Sequence, residues 1–475
     1  MKRKSLLATV PWLVLVAGCS MNPRLVIPPA PVAANYPGAT MADGARAAPI
    51  EWRQMFGDPR LQRLIGLALI DNRDLRIAVL QAAEARGQLR IARGAQLPAV
   101  GLEGGYTRQR APAAVADAGV GIGAGQGTPT GVEFGQFTAQ AALTSFEIDL
   151  FGRLRSQSQA AFERYLASEE GARASRLAVI GAVADSYFAE RLADEQLRLT
   201  EATLADWRAS LDLTRELHGA AQVGGAELAQ AEGLVRQGEA DLEQRRRERD
   251  QAGNALVLAV GAPLPADLPA PIGLSAQPVQ TQLAAGLPSE LLLRRPDILQ
   301  TEHELRAANY DVGAARAAFF PRLSLTGMFG FSSLALDELF KGASQSWSFS
   351  PQVTMPLLQG QAPGALAAAK ARRSIAVANY ERTIQSAFRE VADGLAARAT
   401  YDKQRQAQTA AVDLALRRLR LTDQRYRAGL DSRLDLLDAQ RSSYAARQIL
   451  LEVKRAELSS AVALYRALAG GAGGS

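Results

Sequence analysis

Apolar and polar residues alternate with period two in four short stretches of the chain, separated by long runs with helical spacing. Leu323, Leu325, Phe329 and Phe331 alternate with Ser324, Thr326 and Ser332, and Trp347, Phe349, Val353 and Met355 with Ser348, Ser350, Gln352 and Thr354. Earlier in the chain, Val100, Leu102 and Tyr106 alternate with Gly101, Glu103 and Thr107. Phe137, Ala139, Ala141 and Leu143 do the same with Thr138, Gln140, Ala142 and Thr144. Period two predicts strands with unlike faces. Strands of about 10 residues, apolar on one face and small polar on the other, are what a transmembrane β-barrel needs. An antiparallel sheet resting on a soluble core would show the same alternation. A barrel closes with no fewer than about eight strands, so four could span a membrane only if several chains contribute.

The runs between the strands carry no proline from Thr130 to Ala262 and again from Gly364 to the C-terminus. An interior proline costs a helix about 3 kcal/mol, so such alanine-rich runs predict long helices. One is predicted from Arg153 to about His218, roughly 100 Å at 1.5 Å per residue, with a return helix from Ala226 to about Val260 after Gly219, Gly224 and Gly225. The second long helix is predicted from Ala365 to Arg427, turning near Gly429 and returning from about Arg433 to Leu468. Leu177, Ile180, Ala184 and Tyr187 step 3-4-3 like a coiled-coil seam, and Val179 and Val183 lie off it. Packing on two sides follows.

These elements occur twice. At an offset of 223, Asp297 answers Asp74, Arg316 answers Arg93 and Pro321 answers Pro98. Further on the offset is 208: Val391-Ala392-Asp393 answers Val183-Ala184-Asp185, and Thr422 answers Thr214. The chain is therefore one body of two units of roughly 200 residues. The order predicted is a first repeat over 52–260 (strand pair about 99–149), a Pro/Gly connector over 261–289 and a second repeat over 290–468 (strand pair about 322–357). A flexible tail, 469–475, follows. The stretch after position 19, rich in Pro and Ala up to about residue 51, predicts an extended tether.

Composition narrows the function. The formal charge of +6 comes from arginines scattered among acids with no basic block, which argues against nucleic acid as a partner. The one cysteine, Cys19, rules out an internal disulfide. Lys2, Arg3 and Lys4, then an apolar run from Leu6 to Val16, make a secretory signal over 1–18. Ala17-Gly18-Cys19 resembles a bacterial lipobox, which would make a lipidated Cys19 the first mature residue; a signal peptidase site beside a free cysteine is the competing reading. Ser20 after the cysteine favours the outer membrane, and no later apolar run is long enough for a membrane-spanning helix.

Three segments resemble one family: LLLRRPDILQTEHELRAANYDVGAARAAFFPRLSLTG from Leu291, SFEIDLFGRLRS from Ser145, and YRAGLDSRLDLLDAQRSSY from Tyr426. In this order they are similar to the TolC-like outer-membrane factors, in the lipidated branch that serves RND efflux pumps. The resemblance runs from about Trp52 to Gly471. It implies an α+β membrane protein: a homotrimer whose four strands per chain close a 12-stranded transmembrane β-barrel, continuous with a periplasmic α-helical barrel and a mixed equatorial region. The implied function is an outer-membrane exit duct working with a periplasmic adaptor and an inner-membrane RND pump to expel drugs or other small toxic compounds. Ducts for type I protein secretion or metal-ion efflux are alternatives within the same architecture. No cofactor is implied beyond the lipid on Cys19.

The family closes its tube at the periplasmic helix tip. The residues that match are Tyr426, Asp431, Asp435 and Asp438, with Arg427, Arg433 and Arg441 near enough to neutralise the acids. Asp435 and Asp438 are three apart and share a helix face, so a threefold axis would ring a narrow hole with carboxylates that attract cations. Alternatively the acids only cap the first turn of a helix after Gly429. In the first repeat His218 answers Tyr426, and Glu227 answers Asp435.

Two other classes fit less well. His218 and His303 are the only histidines and are 85 positions apart, so neither a Cys/His pair nor a zinc cluster can be built. The glycines from Gly119 to Gly127 follow no strand-to-helix pattern and suit an extracellular loop better than a phosphate cradle. A structural periplasmic coiled-coil lipoprotein would need no alternating strands, and Leu323 to Met355 argues against it.

Overall fold

The two repeats return as elements matched almost residue for residue in a computed structural model of the chain. The structure describes residues 20–33, 36, 50–111, 132–281, 283, 295–357 and 360–468. Cys19, the signal segment, the glycine-rich loop after position 111 and the tail lie outside the described residues. Helix α1 (Trp52–Met55) leads into α2 (Pro59–Asp71) and α3 (Arg73–Gly94), followed by β1 (Val100–Ala111) and β2 (Val132–Ile148). Then come α4 (Arg153–Gly219) and α5 (Gly225–Val260). The second half repeats the order as α6 (Pro296–Ala317), β3 (Arg322–Ser333), β4 (Gln345–Thr354), α7 (Gln361–Arg427) and α8 (Arg433–Ala467). α3 and α6 share the 223 offset at both ends, and α4 and α7, each 67 residues, share the 208 offset at both ends.

Packing groups the residues into two compact units, each taking segments from both repeats. One unit comprises Met1–Ile27, Glu84–Tyr165 and His303–Val377 and holds the sheet. Its strands run β1-β2-β3-β4, antiparallel throughout, so β1 and β4 are open edges. The register puts Leu102, Ala141, Phe329 and Trp347 in one cross-strand row, and Ile148, Leu323 and Val353 in another. The opposite face carries Glu103 beside Gln140, and Ser324 between Glu147 and Gln352. The alternation therefore survives as two chemically unlike faces. In β2 the odd positions up to Leu143 face the apolar side, but so do the even positions Phe146 and Ile148. A bulge between Leu143 and Phe146 makes the change, with Ser145 at φ 52°. Without it, Phe146 and Ile148 would turn to the polar face.

The tether is more ordered at its start than its composition predicts. Asn22 accepts from the Ser156 hydroxyl at 2.8 Å and donates to Gln159 at 3.3 Å, while Asn309 donates to the Pro23 carbonyl at 2.9 Å. Gly313 makes the close approach of Asn22 possible, since a Cβ there would collide with its amide oxygen. Asn22 and Pro23 are thus bound by side chains of α4 and α6, which a pattern of Pro and Ala does not disclose. Nearby, His303 Nδ1 sits 2.6 Å from Glu163, and both side chains are largely buried.

The other unit comprises Pro28–Ala83, Leu166–Glu302 and Ala378–Ser475. Its core is built from Phe56, Leu64, Ile180, Tyr187, Val391 and Tyr465, all fully or almost fully buried. Tyr36, from the tether, joins this core and stacks on Phe388 at 4.7 Å. The connector is pinned as well. Phe56 pairs with Val279 in an isolated antiparallel bridge, Arg60 donates to the Pro269 carbonyl at 2.9 Å, and Glu195 accepts from the Leu274 amide at 2.7 Å. Buried Arg295 joins three helices: it pairs with Asp297 and with Glu390, and donates to the Ala467 carbonyl.

Candidate functional site at the helix-hairpin tips

Each long helix ends in the same turn. Gly429 N–H donates to the Tyr426 carbonyl and Leu430 N–H to the Arg425 carbonyl, with Gly429 at φ 75°. That is a Schellman ending, in which a left-handed residue lets the last carbonyls find donors. Ala221 and Gln222 make the equivalent bonds to His218 and Leu217, but here the left-handed residue is an alanine, at φ 56°. The glycines predicted to mark this first turn (Gly219, Gly224 and Gly225) do not occupy its left-handed position.

The return helices then start differently. Ser432 caps α8 in a full capping box: its hydroxyl accepts from the Asp435 amide, and the Asp435 carboxylate accepts from Ser432 N–H at 3.1 Å and from its hydroxyl at 2.6 Å. These two bonds to Ser432 hold the Asp435 carboxyl below its usual range. At the matching position α5 has Gly224, with no side-chain cap, and Glu227 lies in its first turn. Asp435 is thus a helix cap in the single chain, the alternative weighed from the sequence.

The other predicted residues separate into pairs. Asp438 is exposed and accepts from Arg418 of α7 at 2.6 Å, and Asp431 accepts from Arg425 at 2.9 Å. These arginines differ from the three suggested by sequence proximity. Arg427 pairs with Asp423 at 3.0 Å. Arg433 is buried, donates to the Ser210 hydroxyl of α4 at 2.8 Å and lies over the Tyr426 ring at 5.5 Å. Arg441 is exposed on a cavity of about 450 Å³ that Asp241 and Tyr444 also line. Proximity in sequence fails because Arg418 and Arg425 reach Asp438 and Asp431 across the hairpin. His218 keeps to its own loop, with Nδ1 2.9 Å from the Val223 carbonyl oxygen. Among the described residues no hydrogen bond joins His218 or Glu227 to the second-repeat tip. Two exposed leucines, Leu430 and Leu434, stand beside the acids and were passed over because an isolated leucine carries no signal in a sequence.

Behind the tips, α4, α5 and α8 are locked together. Leu204, Trp207, Leu234, Val235 and Leu437 form a small core. Tyr444 of α8 donates to Asp241 of α5 and lies 2.8 Å from the Thr200 hydroxyl of α4. Burial, and then the bond to Asp241, push the Tyr444 hydroxyl above its usual pKa. Among the described residues no group of His, Cys, Asp and Glu could hold a metal ion. What the arrangement offers is a set of charged, hydrogen-bonded helix ends.

Comparison with known proteins gives this arrangement a family. The model of the outer membrane efflux protein family matches residues 64–262 and 287–470. The probable efflux pump outer membrane protein TtgC of Pseudomonas putida is 40% identical over 474 residues, covering 98% of this chain and 96% of the relative. The outer membrane protein OprJ of Pseudomonas aeruginosa is 41% identical over 459 residues, with 96% and 94% covered. Among solved structures, the open state of the Neisseria gonorrhoeae MtrE outer membrane channel superposes with a TM-score of 0.84 at 37% identity, covering 95% of this chain and 98% of that one. With its two-faced sheet and paired long helices, the chain belongs to the outer membrane efflux protein family and is an outer-membrane efflux channel of α+β fold.

Proposed function

We propose that three copies of the chain form a passive exit duct, in which four strands from each copy close a 12-stranded barrel. The observation that carries this reading is the four-stranded sheet with an apolar face and two open edges. Unpaired backbone groups cost several kcal/mol each in hydrocarbon, so such a sheet is stable there only when neighbouring copies cover both edges. The helices then form the periplasmic conduit, and its tips meet an adaptor that links the duct to an inner-membrane RND pump. The names of the antibiotic efflux pump outer membrane protein ArpC and the toluene efflux pump outer membrane protein TtgC, both of Pseudomonas putida, support a cargo of drugs or other small toxic compounds. A lipid on Cys19 anchors the mature N-terminus in the outer membrane, where the docking of Asn22 and Pro23 would hold it close to the sheet-bearing unit.

At rest the tips close the duct. Asp435 and Asp438, repeated around the axis, make the constriction cation-selective, and Tyr426, Asp431 and Arg441 line its approach; His218 and Glu227 contribute the first-repeat side. The pairing of Asp438 with Arg418 tempers this charge. The test is planar-bilayer conductance of purified protein whose mass is followed by native mass spectrometry. A trimer forming cation-selective channels blocked by divalent cations is expected. Asp435→Asn with Asp438→Asn should remove the block, and Arg418→Gln should strengthen it, both with the trimer intact. A monomer as the sole species would refute the duct, and a double variant with wild-type selectivity and block would refute the gate. Cys19→Ala should abolish palmitate labelling; unchanged labelling would exclude the anchor.

A further inference from the structure

Both repeats tie the end of a return helix to the start of a short helix by the same kind of hydrogen bond. Asn72 donates to the Ala259 carbonyl at 2.8 Å. Its counterpart at the 223 offset, Arg295, donates at 3.0 Å to the carbonyl of Ala467, which answers Ala259 at the 208 offset. A neutral amide therefore suffices to close this junction. The second junction carries more. Arg295 is buried and pairs with Asp297 and Glu390, and Glu390 answers Ala182 in the first repeat. Nearby, Tyr401 and Arg466 answer Ala193 and Leu258. The first repeat folds into the same elements without these four side chains, so the junction alone does not explain them.

They line one cavity. Its volume is about 760 Å³, within the range of small-molecule sites, and its walls are α4, α7, α8 and the start of α6. Leu177, Ala174, Ala178, Ala397 and Ala463 supply an apolar surface. Among the lining residues the carboxylates of Asp297, Glu390 and Asp393 outnumber the guanidinium groups of Arg295 and Arg466. Asp297 and Glu390 share Arg295 and remain 38% and 43% exposed. Asp393 is 69% exposed, and its ion pair with Arg389, long at 3.9 Å, has little strength. Arg466 lays its stem against Gly181, with the Asp185 carboxylate close by.

The cavity also has a defined side. Nine residues, two and a half turns, separate Ala174 from buried Val183 on α4 and Asp393 from buried Ile384 on α7. It therefore opens opposite the core that receives Phe56 and Leu274. On the duct reading, on which this inference rests, that side is the lumen.

We propose that this cavity is a site on the duct wall for organic cations with an apolar, aromatic body. The positive group lies among Asp393, Glu390 and Asp297, the body rests on Leu177 and the alanines, and the Tyr401 ring faces the cation. Conduction requires a site that cargo can leave as well as enter. Carboxylates open to solvent satisfy both, since they attract a cation without holding it in a dry pocket.

The experiment titrates ethidium, an aromatic cation, into the full-length protein in lipid nanodiscs and follows its fluorescence anisotropy, with empty nanodiscs as the blank. Fluorescein serves as the anionic control, and native mass spectrometry and bilayer conductance follow the trimer and the channel. Saturable binding of ethidium at one site per chain, and none of fluorescein, is expected. Glu390→Gln with Asp393→Asn should weaken it about tenfold or more, with the trimer intact. Ala178→Phe, at an exposed position of the lining, should weaken it by filling the cavity while leaving every charge in place. A conducting trimer that gives no saturable ethidium binding, binds fluorescein equally, or keeps wild-type affinity in both variants overturns the site and leaves the duct standing. Binding lost instead with Asp435→Asn and Asp438→Asn would place the site at the tips and overturn the proposal. Protein that forms neither trimer nor channel overturns the duct itself.

Discussion

Asp58 accepts the Tyr187 hydroxyl at 2.7 Å, across 129 positions of chain and inside the buried core of the helical unit. The same carboxylate caps α2 through the amides of Arg60 and Leu61 and accepts from Gln277 of the connector at 3.1 Å. One buried acid thus ties together the start of the first repeat, the middle of α4 and the segment between the repeats. Burial and the Asp58 carboxylate hold the Tyr187 hydroxyl far above its usual pKa, so it remains a donor throughout the physiological range.

Losing one hydrogen bond to a buried charged group costs about 1.5–3 kcal/mol. Tyr187→Phe should therefore lower stability by that amount, and Asp58→Ala by more, because it also removes a helix cap worth about 0.5–2 kcal/mol. Chemical unfolding in detergent measures both. A Tyr187→Phe variant that unfolds like wild type would show the bond to be energetically silent.

The two tip turns should respond oppositely to the same pair of residues. A non-glycine residue in the left-handed region is strained by about 1–2 kcal/mol, of which the entropy of glycine offsets about 0.5–1. Ala221→Gly should thus steady the first turn by a few tenths to about 1 kcal/mol, and Gly429→Ala should loosen the second by a similar amount. Hydrogen exchange of the amides flanking each turn reads the sign. Equal effects at both sites would contradict the shared geometry.

Acid should fray α8 before α5. Because the carboxyl of Asp435 is depressed in the folded state, its contribution is fully present above the unfolded value of about 4 and is lost as pH falls through the lower folded value. Amide exchange in the first turn of α8 should therefore accelerate below about pH 4, while the first turn of α5, which begins at Gly224 without a side-chain cap, should change less. Ser432→Ala should shift the acceleration to higher pH. No shift would mean that the serine does not set the titration.

Two glycines of β3 should differ in tolerance. At Gly330 a Cβ would collide with the Ala139 carbonyl and the Gln140 backbone of β2, whereas at Gly327 its nearest neighbour lies at an ordinary 3.6 Å. Overpacking against backbone costs about 1–3 kcal/mol or more. Gly330→Ala should reduce the yield of folded, heat-modifiable protein in outer membranes, and Gly327→Ala should leave it near wild type. Equal yields would show that β2 can yield at this point.

The sequence by itself determined what repeats and what alternates. Helix length follows from missing prolines, strand faces from period two, and the halves from offsets of 223 and 208; all are local or strictly periodic, so one chain shows them. The tip residues were legible as a stretch around Tyr426–Asp438, but their partners were not. Which arginine meets Asp438 depends on how far α7 and α8 slide along one another, so Arg418, 20 positions away, is chosen over Arg433 and Arg441, which lie closer in sequence. The bulge beside Ser145 was hidden because it conserves face by breaking period. The anchoring of Asn22 beside Gly313 and the buried place of Tyr36 were hidden as well, since a segment of Pro and Ala shows nothing of the surface that receives it. Those choices belong to the tertiary structure, because each is decided by a surface that exists only once distant helices have packed.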